Sequence, residues 1–185
     1  KMANGTNSMR TIAGFPGTRA KSAAMVRELF VKAQEYKAKI DKAGKDSSKL
    51  PERDLRMEAL VEVLTGKRMV HFHTHKSNDI LTALRLSKEF GFRVVLHHVS
   101  EGWKVADEIA RAGAPCSIIS IDAPGGKMEA VNLSLTTGAV LSKAGALVGF
   151  HTDDGITDTR LFMRSAALMV RGGLSRDTAS QGLRT

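Results

Sequence analysis

Cysteine is almost missing: Cys116 stands alone among 185 residues, so no disulfide can form within the chain. No apolar run approaches the roughly 20 residues of a membrane span. One tryptophan and one tyrosine leave almost no platform on which bases could stack. The opening "KMANGTNSMRTIAGFPGTRA" has neither the apolar core nor the cleavage pattern of a signal peptide, and it begins at Lys1 without a methionine, which reads as a processed or partial chain. No strand-like run is followed by a glycine-rich phosphate loop; "APGGK", Ala123 to Lys127, is a weak imitation that does not lead directly into a helix. With 42% hydrophobic residues the composition is that of an ordinary globular protein, and the expectation is one domain over residues 1–185, cytoplasmic, without a membrane partner.

Charge is present but unevenly spread. The net charge is +9, yet the first fifty residues carry eleven Lys/Arg against four Asp/Glu, and everything after them adds only +2. The excess sits on "VKAQEYKAKIDKAGKDSSK", which reads as the solvated face of a helix. A basic nucleic-acid-binding domain is therefore the weakest of the functional readings, and it predicts an affinity that falls steeply with salt.

Residues 1–21, rich in Gly, Asn, Thr and Pro, read as a loop, and 22–66 as a helical segment. Ser22 offers an N-cap to a helix whose Met25, Val26, Leu29, Phe30, Ala33, Tyr36 and Ile40 recur at three-to-four spacing. After a polar linker, Pro51 opens a second helix with Leu55, Ala59, Leu60, Val63 and Leu64 as its stripe, and Gly66 stops it. Residues 67–185 then repeat a pattern four times: an apolar run of strand length, then a helix ending at a glycine, at Gly91, Gly113, Gly145 and Gly172. Apolar strands alternating with helices pair in parallel through right-handed crossovers, giving an α/β sheet or barrel. A doubly wound sheet satisfies the same pattern.

In such folds the chemistry sits at the carboxyl ends of the strands. His73 and His75, His97 and His98, then Asp153 and Asp154 each follow an apolar run. Imidazoles from two strand ends and a carboxylate from a third are the donor set of a metal-dependent hydrolase. In "MVHFHTHKSND" a strand would put His71, His73 and His75 on one face, about 6 to 7 Å apart per step, too far for all three to share an ion without a bend.

The segments "HFHTHKSNDILTALRLSKEFGFRVVLHHVSEGWKVADEIA" and "GFHTDDGITDTRLFMRSAALMVRGGLS", with "KMANGTNSMR", "GFPGTRA" and "RELFVKAQEY", resemble the imidazolonepropionase-like branch of the amidohydrolase superfamily over nearly the whole chain. The resemblance implies a partial TIM-like (β/α)8 barrel: four β-α units, the family's strands five to eight, preceded by two helices. By position, the histidine ending the family's fifth strand falls on His73, the one ending the sixth on His98, and the aspartate ending the eighth on Asp153. The family's His-x-His on strand one and its small β-sandwich have no counterpart. Lys1 falls near the family's fourth strand, and no ligand role is carried over to it.

That likeness implies metal ligands His73, His98 and Asp153, a divalent ion with zinc first, and hydrolysis of an amide or cyclic-amide C–N bond through a metal-activated water. Asp153 would be the general base, and His98 a ligand or a group polarising the carbonyl. His71 is expected below His73, and His75 and Lys76 above it beside a small-molecule substrate. Arg160 is a possible anion contact, His97 is expected to face the helix layer, and Asp158 to cap the helix near Arg160. A half-barrel leaves sheet edges uncovered, so a homo-oligomer or a missing barrel half is the expected partner, and this chain alone is expected to be inactive. The competing reading is a catalytically silent scaffold or oligomerisation module.

Overall fold

The four alternations appear as four strands and their helices, with a further strand ahead of them. The computed structural model describes residues 1–9, 16–119 and 127–184. In chain order it contains β1 (Met2–Ala3), α1 (Thr6–Met9), α2 (Arg19–Ala43), α3 (Leu55–Leu64), β2 (Val70–Thr74), α4 (Ser77–Phe90), β3 (Val94–His98), α5 (Ala106–Arg111), β4 (Cys116–Ile118), α6 (Thr137–Lys143), β5 (Val148–Phe150), α7 (Phe162–Arg171) and α8 (Arg176–Gly182). "APGGK" lies outside the described residues except for Lys127.

All five strands are parallel and hydrogen-bonded in sequence order, β1-β2-β3-β4-β5. A doubly wound sheet reverses its strand order at a switch point. This one does not, and its winding in one direction is that of a barrel segment.

Strand period and register assign the faces. Val70 and Phe72 of β2, Val94 and Leu96 of β3, Cys116 and Ile118 of β4, and Val148 and Phe150 of β5 are buried, on the face that the helices cover. The core continues through Ile80, Leu86, Ile109, Leu141 and Met169 of the helix layer. The opposite face carries His71, His73, His97, Ser117 and Gly149, and along β3, β4 and β5 it is only half-buried.

The sequence boundaries need correction at both ends. Residues 1–21 are not all loop: Met2 and Ala3 pair with Phe72 and His73 of β2, and the Asn4 N–H donates to the His73 carbonyl at 3.2 Å. A two-residue strand has no alternation to read, and only its neighbour reveals it. The long helix starts at Arg19, not at Ser22, because Thr18 caps it by accepting from the Lys21 N–H at 3.1 Å, and it continues past Ile40 to Ala43. Pro51 does not open the second helix. Asp54 does, its carboxylate accepting from the N–H groups of Arg56 and Met57. Helix α8 is short and polar, with no apolar spacing to announce it; Ser175 caps it, and Gly182 lies so close to β5 that an added Cβ would stand 2.6 Å from the Val148 carbonyl oxygen.

The basic helix α2 is a solvated face, with Lys32 paired to Glu28 and Lys37 to Asp41 at one-turn spacing. No helix among the described residues is long and apolar enough to cross a membrane.

Candidate metal centre

Strands β2 and β3 end side by side, and their last residues set the site. His73 pairs with His97 across the ladder and Thr74 with His98, so strand period alone would give His97 the face of His73 and send His98 to the helices. His97 does share that face: its Nε2 is 2.8 Å from Nδ1 of His71, and its ring is 5.3 Å from that of His151. The expectation that His97 faces the helix layer is therefore corrected by the register. His98 escapes its parity because the backbone turns left-handed, with φ of 71° at His98 and 43° at Val99. Such angles are costly for non-glycine residues, and here they swing the His98 ring back against those of His73 and His75.

His75 joins them because β2 has already ended at Thr74, so the rise per step of an extended strand no longer separates it from His73. Ring centroids lie 4.8 Å apart for His73–His75, 4.3 Å for His73–His98 and 4.7 Å for His75–His98. One ring nitrogen from each forms a group whose atoms all lie within 4.8 Å of one another, all three residues being buried. His71, by contrast, is exposed. The six histidines of the chain thus form one continuous series of contacts.

The hydrogen bonding is polarised. His75 Nδ1 is 2.6 Å from the Ser100 hydroxyl, and His98 Nδ1 is 3.0 Å from Nε2 of His151, whose Nδ1 is in turn 3.0 Å from the Ser117 hydroxyl. The Asn7 side-chain amide lies 3.5 Å from His73 Nδ1, and Lys127 donates to the Asn7 carbonyl oxygen at 2.8 Å. The Nε2 atoms of His73, His75 and His98 are buried with no partner. Buried polar atoms are nearly always satisfied, and an imidazole tied down at one nitrogen and open at the other is the arrangement of a metal ligand. The three residues fit a divalent cation on that ground.

Glu129, which nothing in "KMEAVN" marks as functional, reaches the same centre from a 3-10 turn at Met128–Ala130. Its Oε1 is buried and unpartnered, 3.9 Å from His73 Nε2 and 4.0 Å from His75 Nε2. Glu101 stands at the start of the turn Gly102–Lys104. It is a buried clamp, accepting from the Ser77 N–H at 2.9 Å, from Lys104 at 2.9 Å and from the Asn132 amide, while its own N–H donates to the His75 carbonyl. It locks the chain that carries His75.

Asp153 is half-buried after β5, with φ of 54°, outside the three-imidazole group. Lys76 is half-buried at the start of α4. Arg160 is exposed and bound to Asp158 at 3.0 Å, and Asp158 caps the turn Thr159–Leu161. Trp103 is partly exposed, with its indole N–H on the Asn132 carbonyl.

Among solved structures, the chain is similar to the crystal structure of an amidohydrolase from Thermotoga maritima MSB8, with 31% identity and a TM-score of 0.91 over 98% of this chain and 48% of that one. The fold is amidohydrolase-like. This chain spans about half the length of that structure, as a partial barrel does. No protein-family model and no curated protein matches the chain.

Burial, the first cause, and the neighbouring imidazoles hold the histidines neutral: His75, His97 and His151 are each lowered from 6.5 to about 4, and His98 is lowered further. Neutral imidazole is the form that binds metal. The same shifts set a pH dependence for the metal-free protein. As pH falls below 6.5 the unfolded chain protonates His75, His97 and His151 while the folded one holds them neutral down to about 4, so stability drops through that window. Urea midpoints of the chelator-treated protein are expected to fall from pH 7 to pH 4.5; a flat profile there would show that these rings are not held neutral.

Proposed function

We propose that this chain carries the metal-binding part of an imidazolonepropionase-like amidohydrolase site, hydrolysing an amide or cyclic-amide C–N bond of a small molecule. The observation that carries the reading is the trio of buried, unpartnered Nε2 atoms at His73, His75 and His98. These residues would hold one divalent ion, with zinc favoured by the all-imidazole donors. When bound, the ion supplies Lewis acidity that polarises a carbonyl and lowers the pKa of a water. Asp153, three residues past β5, would take the proton of the attacking water and pass it to the leaving nitrogen. Lys76 and Arg160 are the cationic groups for an anionic substrate, and Arg160 must exchange Asp158 for it.

Strands β1 and β5 each lack a second strand partner among the described residues, and the face bearing His71 is half-open. A second copy or a complementary barrel half along those edges would complete the substrate cavity. The buried, free Cys116, whose thiol is pushed up to about 12 by burial, suits a reducing cytoplasm.

The test is metal analysis of the purified protein after equilibration with zinc, followed by assay against a panel of N-acyl and cyclic-amide compounds. About one ion per chain is expected, with hydrolysis appearing only in the completed assembly and lost there on Asp153→Asn while the ion is retained. No zinc uptake sinks the proposal. Zinc uptake without hydrolysis, by the chain alone and in its complexes, would leave the silent-scaffold reading in its place.

A further inference from the structure

Among the described residues, Glu129 Oε1 is buried and unpartnered like the three imidazole nitrogens, and it lies 3.9 and 4.0 Å from two of them. We propose that Glu129 is itself a metal ligand, completing a three-histidine, one-carboxylate site through Oε1. The inference rests on the proposed metal site.

The two carboxylate oxygens are treated differently by the fold. Oε2 accepts from the Thr6 backbone N–H at 2.7 Å, and Arg19 Nη2 lies 4.0 Å away. Arg19 is fixed in turn by Asp79, its Nε lying 3.1 and 2.9 Å from the two Asp79 oxygens. Gly5 makes this approach possible: with φ of 64°, it lies where an added Cβ would stand 2.4 Å from Oε2. One oxygen is thus anchored by the segment that follows β1, and the other is left bare. A buried carboxylate oxygen without a partner is costly. At 3.9 and 4.0 Å from the two Nε2 atoms, Oε1 is too far for hydrogen bonds to them.

Those separations suit ligands around an ion. Donors about 2.0 to 2.2 Å from a tetrahedral zinc stand roughly 3.3 to 3.6 Å from one another, so Glu129 Oε1 needs to draw in by about half an ångström toward the Nε2 atoms of His73 and His75. Three neutral imidazoles and one carboxylate also select zinc, cobalt or nickel over magnesium and calcium, which prefer oxygen. A carboxylate beside three neutral rings supplies the negative charge that a divalent ion needs and a water does not.

The experiment uses cobalt(II) and zinc(II) with the full chain, reading affinity by competition against a chelator and coordination from the visible cobalt spectrum. Glu129→Gln keeps the shape and can keep the Thr6 contact but replaces the anionic donor with a weak one. It is expected to weaken both metals by at least 10-fold and to shift the cobalt bands, with metal-free thermal unfolding close to wild type. Glu129→Asp, which keeps the charge but withdraws the oxygen by one methylene, is expected to fall between the two and serves if Glu129→Gln does not fold. Wild-type affinity and an unchanged spectrum in either folded variant overturn the assignment of Glu129 and leave the three-histidine site standing. No metal uptake by the wild type overturns both.

Discussion

His98→Ala is expected to cut zinc affinity by more than about 100-fold, beyond the loss usual for residues that only orient a ligand. His98 is the ring against which the other two pack, at 4.3 and 4.7 Å, and its Nε2 is one of the bare donors. Removing it also strips His151 Nε2 of its neighbour at 3.0 Å. The strain at this position separates site from fold. Because φ is 71°, alanine there retains a conformation that costs an L-residue about 1–2 kcal/mol, whereas glycine adopts it freely. His98→Gly should therefore lose zinc as completely as His98→Ala yet unfold at a temperature higher by a few degrees, the shift that about 1 kcal/mol produces in a chain of this size. Retained affinity in both variants would remove His98 from the metal site. Equal melting of the two would show that the left-handed turn is not strained.

How much of this was legible in the sequence follows from the range of the forces involved. The β-α repeats of residues 67–185 were readable because their signals are local: apolar runs of strand length, three-to-four spacing, and glycines such as Gly91 and Gly113 at φ of 71° and 61° closing the helices. His73 could be placed because a strand end is a local event. His97 could not be placed correctly, since its face depends on pairing with His73 across the ladder. The turn that brings His98 into the site is no more visible in "LHHVSEG", which contains no glycine at the strained positions. His75 was set aside by a spacing rule that holds only while the chain stays extended. Glu129 is the extreme case. It meets Thr6 across 123 residues of chain, and neither its neighbours nor its spacing from a strand announces it.

Phe30→Ala is expected to cost about 3–5 kcal/mol, as for other fully buried phenylalanines, and to loosen α2 before the sheet. Phe30 has no exposed surface, and its ring stacks between Phe90, 5.0 Å away at 21°, and Phe92, 4.9 Å away at 11°. Each such pair adds about 0.5–1.5 kcal/mol beyond the area it buries. The Arg27–Glu89 ion pair between α2 and α4 is partly exposed, and surface pairs contribute about 0–1 kcal/mol. The loss should propagate, because α2 begins at Arg19, which binds Asp79 and lies beside Glu129. Limited proteolysis of the variant should cut first within residues 19–43, and its zinc affinity should fall although no donor has been touched. Phe30→Leu, nearer in volume, should recover most of both, since hydrophobic swaps of similar size usually cost less than about 1.5 kcal/mol. A variant that loses stability while keeping full zinc affinity would show that α2 buttresses the fold without positioning the carboxylate.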